Sequence, residues 1–300
     1  MKTSTMTAID RRLGKPLCAV LTGVRRLGRL FGARETQYDV PLRKILFIKM
    51  AEQGATVLAY RALCRATELV GRENVYFWVF EENREILDLL GVIPRENVIT
   101  VRSKTLRTFV VDIFRTLWRI RRLGIDATVD MEFLARAPAI LAFLTGAPRR
   151  AGLHRFTVEG PYRGDLLTHR VQHNPYLHTA LAYHELVEAL DEPPGEVPLL
   201  KRHLPTVDGA PPLFKPETDE CQRVQALLDR RAGRQVDSPI ILLNPNASDM
   251  LPLRKWPTER FIELGQRILA QRPDATLVIT GAPSARRGSS AWPERRRCAT

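Results

Sequence analysis

The feature that most constrains the fold is a regular alternation of short apolar runs with amphipathic helical segments. Apolar runs typical of buried strands lie at Lys44–Lys49, Val75–Phe80, Val98–Val101 and Ala127–Asp130. The segments between them have helical periodicity and are Thr56–Val70, Asn83–Leu90 and Leu106–Leu123. Because short connections join these elements, the pattern predicts a doubly wound α/β fold with a parallel sheet, which binds ligands beyond the carboxyl ends of its strands.

Prolines divide the chain into two parts. They cluster between residues 193 and 216, which we interpret as a linker between two lobes. After this linker, helices are predicted at Glu217–Arg231 and Thr258–Gln271, and strands at Ile240–Leu243 and Ala275–Ile279. The expected organisation is an N-terminal extension (1–40), a first lobe (41–192), the linker (193–216), a partial second lobe (217–284) and a basic, disordered tail (285–300).

The charge balance restricts the classes of partner. The chain has 46 Lys and Arg against 33 Asp and Glu, a net charge of +13, which favours phosphorylated or other anionic ligands. Because no nucleic-acid-binding signature accompanies this charge, we expect no nucleic acid partner. The four cysteines are far apart and form no CxxC pair, which argues against a zinc site or a disulfide framework. Without an apolar run of about 20 residues or a signal peptide pattern, we expect a cytoplasmic protein.

Residues 11–34 combine arginines with apolar residues at helical spacing, so one helix face is apolar and the other cationic. Two interpretations stay open. The segment lies in the interface of an anionic membrane, which would make the protein peripheral on the cytoplasmic face of the inner membrane. Alternatively, it is a basic helix that packs on its own protein.

Three landmarks occur in order along the chain. The first is a strand, a turn and a helix over Ile45–Ala59, with Gly54 in the turn. The second comprises Asp126–Asp130 and the segment Leu134–Gly152. The third comprises Ile241–Ser248, Arg254–Pro257, Glu259–Phe261 and Thr280–Pro283. On these residues the chain resembles glycosyltransferase family 9, the heptosyltransferase-like enzymes that build lipopolysaccharide cores.

The resemblance implies a GT-B fold, in which two Rossmann-like lobes with parallel sheets bind the acceptor and the nucleotide-sugar. It implies an inverting transfer of a sugar, here heptose from ADP-heptose, without a metal or another cofactor. The implied acceptor is a lipopolysaccharide-type glycolipid or a related cell-surface glycan.

Catalysis by this family implies a base that takes a proton from the acceptor hydroxyl. The family's Gly-Asp turn reads Gly54-Ala55 in this chain, and alanine accepts no proton. Glu52, on the same turn, and Glu132, just after Asp130 at a strand end, are the candidate substitutes. For each, a solvated loop carboxylate is the alternative interpretation.

The remaining site candidates are cations, hydroxyls and loop residues. Donor phosphates are expected to bind Asn246, Ser248, Lys255 and Trp256 near the start of a helix, although such residues also occur at ordinary capped helix starts. The acceptor is expected to bind Gly54, Arg136, His154 and Arg163, or these belong to a basic loop packed on the first lobe. The spacing of His169 and His173 suits a metal only on a helix that Asn174-Pro175 would break, so no metal is expected.

The C-terminal segment departs from the family pattern. After Ser284 the sequence is dominated by arginine, alanine, serine, glycine and proline, and it lacks the family's Asp-x-Gly-x-x-His motif. Translation in a shifted frame and a basic solvated tail are the two interpretations. In either case the second lobe is expected to be incomplete and transfer to be impaired. A catalytically inactive remnant that serves as a binding or scaffold protein is therefore the alternative function.

Overall fold

The computed structural model describes residues 3–31, 41–103, 105–154, 161–194, 213–245, 256–281 and 298–299. It divides into two compact units, Met1–Leu213 and Phe214–Thr300. Each unit is an α/β structure with its own parallel sheet, as the alternation of apolar and amphipathic segments predicts.

The first unit contains a six-stranded sheet. Its strands are β1 (Ile45–Ile48), β2 (Val75–Phe80), β3 (Val98–Val101), β4 (Ala127–Asp130), β5 (Arg149–His154) and β6 (His169–Gln172). They lie in the order β3-β2-β1-β4-β5-β6, and every neighbouring pair is parallel. Ile48 pairs with both Trp78 and Asp130. Because of this register, the carboxyl ends of β1 and β4 lie side by side.

Helices cover both faces of this sheet. They are α1 (Thr3–Ile9), α2 (Lys15–Leu30), α3 (Gln53–Leu58), α4 (Tyr60–Val70), α5 (Arg84–Leu90), α6 (Leu106–Leu123), α7 (Ala137–Leu144) and α8 (Thr179–Glu188). Alternate residues of β1 point to opposite faces. Ile45 and Phe47 belong to a core with α4, α5 and α8, whereas Leu46 and Ile48 belong to a core with α6 and α7. Burial on both faces explains why the central strands are continuous apolar runs.

The sequence pattern located the first four strands and the helices between them, but it missed β5, β6, the helices α1, α7 and α8, and one break. The predicted helix Thr56–Val70 is two helices that meet at Ala59, whose N–H bonds to the carbonyls of both Ala55 and Thr56. Strand β5 begins with two arginines, which do not resemble a buried strand. The structure satisfies them internally, because Arg149 donates to the Leu190 carbonyl and Arg150 to the Leu166 carbonyl.

Helix α2 attaches to the first unit through one of its faces. Cys18, Thr22 and Arg25 are buried there, and Cys18 packs with Ile140 of α7. The Arg25 guanidinium lies 3.2 Å from the Asp165 carboxylate, and the Asp165 N–H donates to the Thr22 hydroxyl at 2.9 Å. This face therefore packs on its own protein, which was one of the two interpretations of residues 11–34. Its other face is exposed.

A glycine makes this attachment possible. Gly164 has φ +59°, and a Cβ built on it would lie 2.2 Å from the Thr22 hydroxyl and 2.9 Å from the Cys18 carbonyl oxygen. We expect Gly164→Ala to lower the free energy of unfolding by about 1–3 kcal/mol more than a left-handed glycine with open space does, since α2 must shift. Urea denaturation of Gly164→Ala and Gly91→Ala measures this difference, because Gly91 has φ +64° with nothing near its Cβ position. Equal losses would contradict it.

The second unit contains α9 (Thr218–Ala232), β7 (Ile240–Leu243), α10 (Thr258–Gln271), β8 (Thr276–Ile279) and β9 (Cys298–Ala299). The three strands form a parallel sheet in the order β7-β8-β9. Strand β9 comes from the segment 285–300 that was expected to be a disordered tail. Residues 285–297 and 300 of that segment lie outside the described part, as do residues 195–212 of the expected linker. Within the described ranges, no helix has the length and apolar character that crossing a membrane requires.

Candidate functional site

The carboxyl ends of β1 and β4 bring three charged side chains together. Lys49 directly follows β1, Glu52 precedes α3, and Glu132 follows β4 by two residues. The Lys49 ammonium lies 2.8 Å from the Glu52 carboxylate and 3.0 Å from the Glu132 carboxylate. One cation therefore links the two carboxylates that the sequence singled out, at the sheet edge where ligands bind in this fold class.

Lys49 is almost completely buried, with only 2% of its side chain exposed. Burial by itself would lower the pKa of Lys49, but Glu132 and Glu52 raise that pKa above its ordinary value. The lysine consequently stays charged at neutral pH. A buried ammonium between two carboxylates reduces their repulsion and restricts their positions.

The backbone at Glu52 has an unusual conformation. Its φ is +72°, and among the described residues it alone combines a positive φ with a side chain other than that of glycine. The left-handed region costs such a residue roughly 1–2 kcal/mol. The turn directs the Glu52 carboxylate back over Lys49, while the Glu52 carbonyl accepts from the Thr56 N–H at 3.1 Å and begins α3. Strain of this kind is concentrated at functional sites in proteins.

Glu132 differs from Glu52 in its exposure. The Glu132 side chain is 16% exposed, whereas that of Glu52 is 48% exposed. Burial raises the pKa of Glu132, and Lys49 opposes this shift. Tyr183 of α8 is also buried against this group, and its pKa is raised by burial and lowered in part by Lys49. The more solvent-accessible of the two carboxylates is thus Glu52.

A buried ion pair lies next to this cluster and contacts the segment that carries Glu132. The Arg163 guanidinium lies 3.1 Å from the Asp130 carboxylate, with both side chains at most 2% exposed. Arg163 also donates to the Leu153 carbonyl at 3.1 Å and to the Glu132 carbonyl. Burial raises the pKa of Asp130 to about 6, although Arg163 opposes the shift. Arg163 therefore holds the segment that carries Glu132.

The other expected acceptor residues lie in different surroundings. Gly54 is in the first turn of α3, with no atom within 4 Å of its Cβ position, so it leaves open space beside Glu52. The Arg136 guanidinium binds the Asp10 carboxylate at 3.2 Å and the Tyr162 carbonyl at 3.0 Å. His154 ends β5 and is half-buried. The structure thus groups Gly54 with Glu52 and uses Arg136 to attach the N-terminal segment.

Most of the expected donor residues lie outside the described part of the chain, namely Asn246, Ser248 and Lys255. Trp256 is described. It is 46% exposed, and its ring meets that of Phe261 edge to face, with centroids 4.8 Å apart. Trp256 therefore packs on α10 while much of its indole remains accessible. The donor assignments stay predictions.

The histidines do not form a helical pair. His169 lies in β6, where its ring contacts the Thr168 hydroxyl at 2.8 Å and the Glu192 carbonyl at 3.1 Å. Burial, with a further effect of Arg149, lowers the pKa of His169 to about 4. His173 lies beyond the strand and stacks on Phe133 at 4.1 Å. In the described ranges no three His, Cys, Asp or Glu side chains are grouped as metal ligands would be, and independence from a metal stays a prediction.

A cavity of about 710 Å³ lies elsewhere, at the outer edge of β3 between α5 and α6. Arginines dominate its polar lining, namely Arg84, Arg95, Arg115 and Arg119. It contains no pair of carboxylates joined by a buried cation. We therefore place the candidate catalytic chemistry at the carboxyl ends of β1 and β4 rather than in this cavity.

Comparison with known proteins identifies the fold. No protein-family model matches the sequence, and no curated protein matches it. The solved glycosyltransferase family 9 protein from Veillonella parvula DSM 2008 is similar in structure, with a TM-score of 0.59 at 15% identity over 88% of this chain and 70% of that one. The chain has the family 9 glycosyltransferase fold.

Two structures of E. coli heptosyltransferase WaaC are similar as well. The complex with ADP has a TM-score of 0.54 at 17% identity and covers 83% of this chain and 73% of that one. The complex with ADP-2-deoxy-2-fluoro heptose has a TM-score of 0.53 at 16% identity and covers 81% and 71%. These similarities confirm the fold class expected from the sequence, an α/β GT-B fold. In this chain each of the two units contains a parallel sheet.

Two residues of the candidate site were not identified from the sequence. Lys49 was recognised only as the end of a strand, and Tyr183 was not recognised at all. One sequence feature could have predicted that Lys49 is buried. Lys49 directly follows a run of buried apolar residues, a position that is seldom open to solvent. No local pattern indicates Tyr183, which reaches the cluster through the packing of α8.

Proposed function

We propose that this chain is an inverting glycosyltransferase that transfers heptose from ADP-heptose to a lipopolysaccharide-type acceptor. One observation carries the proposal, namely two carboxylates held by a buried ammonium at the carboxyl edge of a family 9 fold. The heptose and the adenine nucleotide are proposed by similarity to WaaC, whose structures contain ADP and an ADP-heptose analogue.

Glu52 is the proposed catalytic base. It is the more accessible carboxylate of the pair, and open space lies beside it at Gly54. The Glu52 carboxylate takes the proton of the acceptor hydroxyl while the hydroxyl oxygen forms a bond to the anomeric carbon. The bond between that carbon and the diphosphate oxygen breaks on the opposite side, so the configuration inverts and ADP leaves with the electron pair. A positioned base typically contributes about 100- to 10,000-fold to such a step.

Ala55 explains how Glu52 could take this role. Ala55 packs against the core that α4, α5 and α8 share with the sheet. A side chain at position 55 is therefore partly directed to apolar surroundings in this chain. The left-handed backbone at Glu52 places a carboxylate at the same turn, three residues earlier. The catalytic carboxylate is thus proposed to have moved along the turn rather than to have been lost.

Lys49 and Glu132 are proposed to position the base. Lys49 contacts the carboxylates of both Glu52 and Glu132, so neither carboxylate can turn away without breaking an ion pair. These two contacts fix the position of the Glu52 carboxylate at the end of β1, where the acceptor hydroxyl is proposed to bind. Glu132 balances the charge of Lys49 when Glu52 becomes protonated.

The negative charge that develops on the departing diphosphate requires cations and hydrogen-bond donors. Asn246, Ser248, Lys255 and Trp256 are proposed to supply this environment, with the start of α10 as an additional source of partial positive charge. On the acceptor side, His154 and Gly54 are the proposed contacts, supported by Arg163 and Arg136 through the segments that these arginines hold. The acceptor is a glycolipid, so we place the enzyme at the cytoplasmic face of the inner membrane.

Release of ADP tests this function. The purified chain is mixed with ADP-heptose in the presence and absence of a detergent-solubilised, heptose-free lipopolysaccharide acceptor, with enzyme in excess over donor. We expect ADP to appear only when the acceptor is present, and the acceptor mass to increase by one heptose. Absence of both ADP release and acceptor mass gain would contradict the proposal, and absence of ADP-heptose binding as well would favour an inactive binding or scaffold protein, the alternative that Ala55 suggests.

A further inference from the structure

Helix α2 exposes a continuous apolar strip. Leu17, Val20, Val24 and Leu27 recur at helical spacing, and each is between 43% and 62% exposed. The face that carries Cys18, Thr22 and Arg25 attaches α2 to the first unit. Since that attachment includes the Arg25–Asp165 ion pair, α2 cannot turn its apolar strip inward without breaking it. The strip is therefore held toward the outside.

Helix α6 exposes a second apolar strip. Leu106, Val110, Phe114 and Trp118 follow each other at four-residue intervals, and each is between 42% and 69% exposed. The adjoining flank of α6 packs in the core through Ile113, Leu117 and Ile120, so the strip turns away from the core toward Trp118. The strip begins at Leu106, in the helix that follows β3, and the carboxyl end of β3 lies at the same sheet edge as those of β1 and β4.

Both strips belong to the same side of the sheet. Helices α6 and α7 share a core over one sheet face, and α2 packs against α7. The opposite face is covered by α4, α5 and α8. Two exposed apolar strips thus lie on the same helical layer, and clusters of exposed apolar side chains mark interaction sites.

The charges around the strips are mostly positive. Helix α2 has no acidic residue; Arg25 and Arg29 lie 3.2 and 3.7 Å from the Asp165 carboxylate, and Lys15 and Arg26, with Arg11 and Arg12 before the helix, are its further cations. Helix α6 contains five arginines, of which Arg122 stacks on the Trp118 ring at 3.6 Å, and one acid, Asp112, which pairs with Arg102 at 2.8 Å. A second copy of this chain would bring cations against cations on this side. An anionic lipid surface is complementary to both features.

We infer that the α2 and α6 strips form a membrane-docking face that inserts into an anionic leaflet. The apolar side chains enter the boundary between headgroups and acyl chains, while the arginines and lysines contact lipid phosphates. This inference rests on the proposed function only for the glycolipid acceptor, which the docked face would keep beside the carboxyl edge of the sheet.

Vesicle co-sedimentation tests the inference without any donor or acceptor. We expect the chain to bind vesicles of phosphatidylglycerol and phosphatidylcholine in equal parts, and to bind pure phosphatidylcholine vesicles at least about tenfold more weakly. Val24→Glu in α2 and Phe114→Glu in α6 should each weaken binding to the mixed vesicles by about tenfold, since each places a charge where an apolar side chain inserts.

Leu89→Glu is the matched control. Leu89 is 53% exposed on α5, which covers the opposite side of the sheet, so this substitution should leave vesicle binding unchanged. Equal weakening by Leu89→Glu, or unchanged binding of both Val24→Glu and Phe114→Glu with native circular dichroism, would overturn the inference. The inference would also be overturned if Val24→Glu and Phe114→Glu abolished self-association of the chain and left vesicle binding unchanged. Transfer to the detergent-solubilised acceptor is independent of docking, so failure of the docking face and failure of the proposed function give different results.

Discussion

Glu52→Gln is expected to lower the single-turnover rate of heptose transfer by at least about 100-fold, because the amide cannot take the acceptor proton. The comparison is made with the unchanged chain, with enzyme in excess over ADP-heptose. Glutamine keeps the size of glutamate and can still contact Lys49, so donor affinity should change little. Quenched-flow measurement of ADP release gives the rate, and equilibrium titration with ADP gives the affinity.

Glu132→Gln is the matched control for this substitution. Glu132 has the same chemical group and the same cation partner as Glu52, but it is largely buried. If Glu52 is the base, Glu132→Gln should reduce the rate by only about tenfold, through a less well positioned Lys49. A larger loss in Glu132→Gln than in Glu52→Gln would assign the base to Glu132. Equal small losses would contradict the proposed use of either carboxylate.

Arg163→Met is expected to lower the free energy of unfolding by about 3–5 kcal/mol at pH 7, because it leaves the fully buried Asp130 carboxylate without its counter-ion. Methionine preserves much of the apolar volume of the arginine stem, so the loss reports on the ion pair and on the hydrogen bonds to the Leu153 and Glu132 carbonyls rather than on a cavity. Denaturant unfolding measures it. The double variant Arg163→Met/Asp130→Asn should recover the part of the loss that comes from the unpaired carboxyl group, but not the part that comes from the two carbonyls.

The same substitution should change the dependence of stability on pH. Burial already raises the folded-state pKa of Asp130 from 3.8 to about 6, and removing Arg163 raises this pKa further. A carboxyl group whose pKa is higher in the folded state stabilises the fold below its unfolded pKa, and this contribution is lost as pH rises. The deficit of Arg163→Met should therefore be smaller at pH 5 than at pH 8. A deficit that does not change between these values would contradict the buried-charge explanation.

Most of the fold was predictable from local patterns. The bounds predicted for β2, β3, β4, β7, α6 and α10 agree with the structure, because buried parallel strands are apolar throughout and surface helices are periodic. Strands β5 and β6 were missed because their sequences are rich in charged and polar residues. Arg149, Arg150 and His169 are buried there, and each forms a hydrogen bond with a carbonyl distant in sequence, such as that of Leu190 with Arg149. Local polarity does not reveal such partners.

The sequence by itself determined which charged residues lie at the carboxyl ends of the strands. Once β1 and β4 are recognised as parallel strands, Glu52 and Glu132 must follow them at the same edge. Only the tertiary structure decided that the buried Lys49 joins these two carboxylates. It also decided that Arg163 forms an ion pair with Asp130 and that Arg136 forms one with Asp10. The physical reason is that ion-pair geometry depends on distances between side chains of different elements, whereas strand and helix formation depends mainly on neighbouring residues.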